Sequence, residues 1–384
     1  MRGSLREKRP DYWEVRVEIG VDAVTGKRSQ ISKVVRGTRR EAERSLNELI
    51  AKASAGSAGG TTAATFSDLL DAWMEHAASD LAYQTIVGYN RLINKRIKPA
   101  LGTVKLRKLD SAKLDQFYRS LTAAGLSPAT IRQAHAIIRR ALGQAVKWEW
   151  LAVNAALKAS PPRLVKTTTT PPTPAAVIVL IERARISKYP EFSVIIHAAA
   201  VTGARRGELC ALKWSDFDFE APAVLISRSV YETKEHVMVE KDTKTHQARR
   251  ISLDKATVEV LHAHREMLTK RAYDCGTELV KDAYVFSDSE DCSRPWIPSR
   301  VTLAYRRLCD EFELTGMRFH DLRHFAATRL LAAGIDVRTV SGRLGHANAA
   351  TTLGTYSHFI GAADVHAADV LGELVSPKSK EQVR

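Results

Sequence analysis

The stretch TGARRGELCALKW, residues 202–214, decides the fold predicted for the C-terminal half of this chain. Arg205 stands just after a glycine, where a helix is predicted to begin. An arginine in that place is more often a surface charge than a ligand-binding group. Its meaning therefore depends on four later stretches that carry polar side chains. They are KTHQARRISL (244–253), HDLRH (320–324), LGH (344–346) and TYSHF (355–359).

Each later stretch contributes one or two reactive groups. Lys244 lies near the tip of a predicted β-hairpin, and His320 and Arg323 share one face of a predicted helix because they are three residues apart. His346 lies at a predicted helix start or turn, and Tyr356 follows ten residues later. No carboxylate or cysteine completes a metal-binding set at ligand spacing, so the histidines do not predict a zinc site. Taken singly, each residue is weak evidence of function.

Residues 1–56 predict a small β-sheet with one helix. DYWEVRVEIG (11–20) alternates apolar and polar residues, and SQISKVVRG (29–37) follows a turn signal, so the two predict a β-hairpin. Thr38 then begins a helix through a predicted capping box. A linker rich in Gly, Ser and Ala, residues 54–64, follows this module.

Residues 64–160 predict an all-helical bundle of four or five helices. Apolar residues recur at helical spacing in segments that begin or end with Ser, Thr, Pro or Gly. Two of these helices are cationic, which favours a face that contacts the DNA backbone over a merely solvated one. The side chains assigned to DNA binding are Arg91, Lys95, Arg96, Arg132, Arg139 and Arg140.

Residues 173–384 follow a linker rich in Pro and Thr. They predict a mainly α-helical domain with a small antiparallel β insertion, whose strands fall at 223–230, 236–240 and 248–253. The fold class predicted for the whole chain is therefore multidomain α+β.

The charge of the chain points to a polyanionic partner. The formal net charge is +15, and residues 1–165 carry 28 Lys and Arg against 15 Asp and Glu. Such an excess favours nucleic acid, since neutralised phosphates release counterions. No apolar run long enough for a membrane span and no signal peptide are recognised, and the four cysteines lack metal-binding or disulfide spacing. We expect a cytoplasmic protein without a membrane partner.

Taken together and in this order, the five stretches resemble the tyrosine recombinase family, in its phage-integrase branch. Six polar residues match the family in type, order and local setting, with no departure at a catalytic position. The resemblance covers the whole chain. It implies an arm-type DNA-binding module at 1–56, a SAM-like core-binding domain at 64–160, and a catalytic domain with a C-terminal tail at 173–384.

Chemistry at a phosphodiester agrees with this resemblance. Cutting DNA without a metal ion needs a nucleophile, positive charge on the non-bridging oxygens, and an acid for the leaving 5′-oxygen. Arg205 and Arg323 are suited to hold those oxygens through two parallel hydrogen bonds each. Lys244 suits the acid, a role that the resemblance also implies.

The remaining roles complete a covalent mechanism. Both His320 and His346 are suited to donate hydrogen bonds to the phosphate, and His320 is also suited to accept the proton of Tyr356. Tyr356 is the expected nucleophile, which gives a 3′-phosphotyrosine and a free 5′-hydroxyl. Glu208 is expected to orient one of the arginines, although a plain surface charge on the helix is nearly as good an interpretation. No cofactor and no metal are expected.

These expectations describe a recombinase that acts on double-stranded DNA attachment sites to integrate and excise a mobile element. Four cuts with one tyrosine per chain imply a homotetramer, and accessory DNA-bending or excision factors are possible partners. Residues 361–375 have the pattern of an amphipathic helix, expected to dock on an adjacent protomer. Arg206, Arg249 and Arg250 are expected to contact the DNA backbone or solvent.

Two alternatives stay open from the sequence. A type IB topoisomerase-like nicking-closing enzyme would use the same chemistry, although the small N-terminal module argues against it. A regulatory DNA-binding protein would need only the scaffold, and it would have no need of Tyr356.

Overall fold

The computed structural model describes residues 3–21, 28–57, 63–164, 171–242, 248–314 and 316–346, together with 348, 350, 352, 353 and 371. The chain divides into two compact units, residues 1–167 and 168–384. The first unit contains the N-terminal sheet and the helical bundle. The finer boundaries at 56 and 64 stay a prediction.

The N-terminal sheet has three antiparallel strands in the order β1-β2-β3, formed by Gly3–Arg9, Tyr12–Val21 and Arg28–Arg36. The hairpin of β2 and β3 was predicted, whereas β1 was not. Val15 and Val17 of β2 are fully buried. The helix α1, Arg39–Ser57, begins after Thr38, whose N–H donates to Glu41 Oε2 at 2.8 Å.

The rest of the first unit is the predicted bundle. Three of its helices begin at side-chain caps: the hydroxyl of Thr65 and the carboxylate of Asp110 each accept a backbone N–H of the first turn, and Ser127 does the same. The helices are α2 Phe66–Ala77, α3 Tyr83–Leu92, α4 Lys98–Leu101, α5 Ser111–Ala123 and α6 Pro128–Lys147.

A π-helical turn, Ile93–Ile97, separates α3 from α4. The cause is Pro99, which has no N–H to donate to the carbonyl of Lys95 and would clash with it in a regular α-helix. The wider turn keeps Ile93 and Ile97 buried.

The second unit is mainly helical, as predicted. Its described residues form two hydrophobic clusters of buried side chains. The helix α8 is buried along most of its length. The helices are α7 Pro174–Arg185, α8 Glu191–Thr202, α9 Arg206–Cys210, α10 Lys255–Asp274, α11 Pro298–Glu311, α12 Asp321–Ala332 and α13 Val337–Leu344. Among the residues that the structure describes, no helix has both the length and the apolar character needed to cross a membrane.

The β insertion lies between α9 and α10 and consists of two small antiparallel sheets. One has the order β4-β5-β8 and the other pairs β6 with β7. The single predicted strand 223–230 is divided, because β5 pairs with β8 while β6 pairs with β7. The strands are β4 Phe217–Asp218, β5 Ala223–Ile226, β6 Arg228–Glu232, β7 Met238–Asp242 and β8 Arg249–Ser252.

Candidate active site

Arg205 lies at the N-cap of α9 and is anchored by the helix it begins. Gly203, with φ 63°, ends α8 in the left-handed conformation that favours glycine, and the chain turns there into α9. Glu208, on the first turn of α9, accepts the Arg205 backbone N–H at 2.8 Å and its Nη1 at 2.8 Å. The side chain of Arg205 remains 27% exposed, so it is accessible to a ligand.

Glu208 joins two arginines rather than one. Its side chain is 1% exposed, and its Oε2 accepts Nη2 of Arg249 at 2.6 Å. Burial alone would raise the pKa of Glu208, but the hydrogen bond from Arg249 and the charges of both arginines outweigh it and lower the pKa. The carboxylate is therefore ionised and holds two guanidinium groups.

The expectation that Arg249 contacts the DNA backbone or solvent was wrong. Arg249 is 9% exposed, and it also donates from Nε to the carbonyl of Arg343 at 2.9 Å. On β8 it alternates with Arg250, so it points inward like Ile251. Arg250 does face outward and pairs with Asp218. The alternation ARRIS was the signal in the sequence that could have placed Arg249 inside.

Arg323 is the second predicted phosphate-binding arginine, and it is 3% exposed. Its Nη1 donates to the carbonyl of Gly203 at 2.7 Å, which joins α12 to the turn before Arg205. His320 is the N-cap of α12 and is exposed, with its ring 5.0 Å from that of His324 in an edge-to-face contact. Thus α12 places Arg323 next to the Arg205 turn, and His320 lies at the N-cap of the same helix.

His346 completes the described part of the site. It follows Gly345, which ends α13 with φ 68°, and its backbone N–H donates to the carbonyl of Ser341 at 3.0 Å. Nη2 of Arg205 donates to the carbonyl of Gly345 at 3.2 Å, so this turn lies against the first arginine. The ring Nδ1 lies 2.7 Å from the hydroxyl of Thr352.

The electrostatics show that these groups converge. Burial, together with the charges of Arg323, Arg205 and Arg249, lowers the pKa of His346 to about 4. Desolvation of the ring, followed by the influence of His324 and Arg323, lowers the pKa of His320 to about 4, although water screens part of this shift because the residue is exposed. Both imidazoles are neutral at pH 7, beside guanidinium groups that favour an anion.

The low pKa of His346 predicts a pH-dependent stability. Its pKa is about 4 in the folded protein against an ordinary value of 6.5, so unfolding takes up a proton between these values. We therefore expect the free energy of unfolding to fall as the pH is lowered from about 6.5 to 4. His346→Gln should flatten this dependence in urea unfolding at pH 7 and pH 5. The exposed His262→Gln is the control, and an equal flattening by both variants would contradict the assignment.

Two predicted residues, Lys244 and Tyr356, lie outside the described residues, and so does nearly all of the tail 361–375. Their roles stay predictions, as do the catalytic roles predicted for Arg205, His320, Arg323 and His346. Thr352 also lies at this site, although no motif marks it in the sequence. Among the described residues, no cluster of three or more His, Cys, Asp or Glu is arranged to hold a metal ion.

The basic side chains predicted on the bundle are all exposed, although two of them make internal hydrogen bonds. Arg132 Nη1 donates to the carbonyl of Pro162 at 3.2 Å, and Arg140 donates to the hydroxyl of Tyr89. They belong to the surfaces of α3, the π-helical turn and α6. Contact with DNA stays a prediction for these residues.

Comparison with known proteins identifies the family. The model of the phage integrase family matches residues 180–360, and that of the phage integrase N-terminal SAM-like domain matches residues 65–122. The ICEBs1 integrase of Bacillus subtilis strain 168 is 25% identical over 97% of this chain and 100% of its own length. A tyrosine recombinase XerC-like protein of Caldanaerobacter subterraneus is 26% identical over 95% of this chain and 96% of its own.

Solved structures support the same fold. The integrase of transposon Tn1549, in complex with a circular intermediate DNA, aligns with a TM-score of 0.70 at 19% identity, over 80% of this chain and 99% of that one. A lambda integrase dimer bound to a core site aligns with a TM-score of 0.58 at 19% identity, over 94% and 95%. These relatives and structures give no support to a type IB topoisomerase. The chain belongs to the tyrosine recombinase family, in its phage-integrase branch.

Proposed function

We propose that this protein is a site-specific integrase, which cuts and rejoins DNA through a 3′-phosphotyrosine intermediate to integrate and excise a mobile element such as a phage genome. One observation carries the proposal: Arg205, Arg323 and His346 converge at the turns formed by Gly203 and Gly345. Two guanidinium groups and a neutral imidazole donor in one place suit the charge of a pentacoordinate phosphate better than that of any uncharged substrate.

In the proposed cleavage step, one bond to phosphorus forms while another breaks. The phenolic oxygen of Tyr356 forms a bond to phosphorus, and the bond from phosphorus to the 5′-oxygen breaks. The phenolic proton passes to His320, whose pKa rises when a phosphate anion binds beside it. Lys244 supplies a proton to the leaving 5′-oxygen. Arg205 and Arg323 stabilise the non-bridging oxygens during both bond changes.

The proposed partners follow from the same reaction. The substrates are double-stranded attachment sites, bound by the exposed basic helices of the bundle and by an arm-type module at 1–56. A lambda integrase tetramer bound to a Holliday junction has a TM-score of 0.55 with this chain, which supports a homotetramer on DNA. We further propose that the tail 361–375 docks on a neighbouring protomer, and that accessory factors control excision. The reaction would take place in the cytoplasm of a bacterial host, where the chromosomal site lies.

We expect strand exchange to need neither a metal ion nor ATP, because phosphotyrosine keeps the energy of the broken bond and the arginines replace a metal at the phosphate. The full-length protein is incubated with two duplexes that carry attachment sites mapped from the junction of the circularised element. Recombinant product should form at an unchanged rate in excess EDTA without nucleotide. Relaxation of supercoiled DNA without strand exchange, or a need for Mg²⁺, would overturn the proposal.

A further inference from the structure

A short series of hydrogen bonds extends from His346 into the protein. Nδ1 of His346 lies 2.7 Å from Oγ1 of Thr352, and the same Oγ1 lies 2.7 Å from Oγ of Ser341. Thr352 is fully buried, and Ser341 is 5% exposed. Two buried hydroxyl groups are therefore linked to Nδ1 of His346, a residue of the proposed active site.

We infer that Thr352 is a positioning residue that sets the tautomer of His346: its hydroxyl donates to Nδ1, so the ring proton stays on Nε2 and is directed to the scissile phosphate. The hydroxyl of Ser341 donates to the oxygen of Thr352 and completes the series. This inference rests on the proposed function, because it assigns a phosphate to Nε2.

Counting donors and acceptors supports this direction. A neutral imidazole has one N–H and one lone pair, and each hydroxyl has one proton to donate. When Ser341 donates to Thr352 and Thr352 donates to Nδ1, both hydroxyl protons and the lone pair of Nδ1 take part in hydrogen bonds. The reverse direction would turn the lone pair of Nε2 toward an anion and repel it.

The charged groups around the His346 ring keep it neutral, and so keep this hydrogen-bond series in place, at neutral pH. Arg205, Arg323 and Arg249 lie beside His346 and oppose its protonation, so the imidazole is neutral and its tautomer matters. Burying a hydroxyl costs free energy unless it is hydrogen-bonded, and a valine would fill the same volume without that cost. The threonine at this fully buried position is therefore explained by its hydrogen bonds.

Thr352 also stands four residues before Tyr356 in the sequence. A loss of activity in a Thr352 variant could therefore act through His346 or through the segment that carries the nucleophile. The experiment has to separate these two routes. Serine at position 352 keeps the hydroxyl, valine keeps the shape without it, and Thr339 serves as a matched control position.

The test uses the full-length protein and a nicked duplex that carries the mapped attachment site and traps the covalent adduct. Thr352→Val should slow adduct formation about 10–100-fold with DNA affinity unchanged, the usual range for a partner that orients a catalytic histidine. Thr352→Ser should restore most of the rate. Thr339→Val, an exposed threonine on α13, is the control and should match the wild type.

A double-mutant cycle and a spectroscopic measurement identify the route. In a His346→Ala background, Thr352→Val should have no further effect on the rate. In wild-type protein labelled with ¹⁵N-histidine, the His346 signals should report an Nε2–H tautomer, and Thr352→Val should shift them toward a mixture. Thermal unfolding of every variant shows whether it folds.

Three results would overturn the inference while leaving the proposed function intact: a Thr352→Val rate equal to that of Thr339→Val, a full effect of Thr352→Val in the His346→Ala background, or a wild-type Nδ1–H tautomer. If the wild type forms no adduct at all, the proposed function fails instead. The ¹⁵N measurement does not depend on activity, so it still decides whether Thr352 sets the tautomer.

Discussion

Replacing Tyr356 by phenylalanine is expected to abolish covalent attachment to DNA while leaving DNA binding intact. Phenylalanine keeps the aromatic ring and removes only the oxygen that would attack phosphorus, so the loss should reach at least about 10⁴-fold, as for other nucleophiles removed from covalent enzymes. The measurement is adduct formation on the nicked duplex, resolved by denaturing electrophoresis. Binding is measured in parallel by mobility shift.

Tyr273→Phe is the matched control for this prediction, since Tyr273 is 80% exposed and belongs to the same unit. It should form adduct at the wild-type rate. If the Tyr356→Phe protein still became attached to DNA, another residue would be the nucleophile. If it lost DNA binding as well, the result would report a misfolded protein or a structural role for the hydroxyl.

The second large effect concerns Glu208, which holds Arg205 and Arg249 together at a buried position. Glu208→Ala leaves two guanidinium groups without their shared counter-ion, and we expect it to lower the free energy of unfolding by about 3–5 kcal/mol. Glu208→Gln keeps the shape and the acceptor oxygen but removes the charge. It should fold, and it should slow adduct formation by about 10–100-fold because Arg205 is less firmly held.

Urea unfolding and the nicked-duplex assay measure the two parts of this prediction. Glu278→Gln, an exposed glutamate of the same unit, controls for the loss of one negative charge and should change neither quantity. Wild-type stability and wild-type cleavage in Glu208→Ala would show that Glu208 is an ordinary helix charge, the alternative that the sequence left open.

Most helices were predictable because each carries its own signals. Thr65 and Ser127 mark helix starts, and the apolar spacing of the segments after them fixes the buried faces. The strand β1 was not predictable, since GSLREKR shows little apolar alternation and forms a strand by pairing with β2. The π-helical turn depends on Pro99 within an otherwise regular apolar pattern.

The site was predictable only where reactive residues have a recognisable order along the chain. Arg205, Arg323 and His346 were selected in this way, and the structure brings them together, while their catalytic roles stay predictions. Arg249 and Thr352 were missed, because their importance comes from contacts between residues far apart or across a turn. An arginine in a run of polar residues is indistinguishable from a surface charge until the strand that buries it is known.

The two left-handed glycines of the site have a consequence for the substitutions that it tolerates. The carbonyl of Gly203 accepts from Arg323, and the carbonyl of Gly345 accepts from Arg205, so main-chain atoms help to hold both arginines. A Cβ at Gly203 would lie 2.6 Å from Leu344 Cδ2, and one at Gly345 would lie 2.8 Å from Nη1 of Arg249. A carbonyl acceptor persists whatever side chains surround it. Each turn therefore holds its arginine through the geometry of the backbone, and a side chain at either glycine would disturb that geometry by collision.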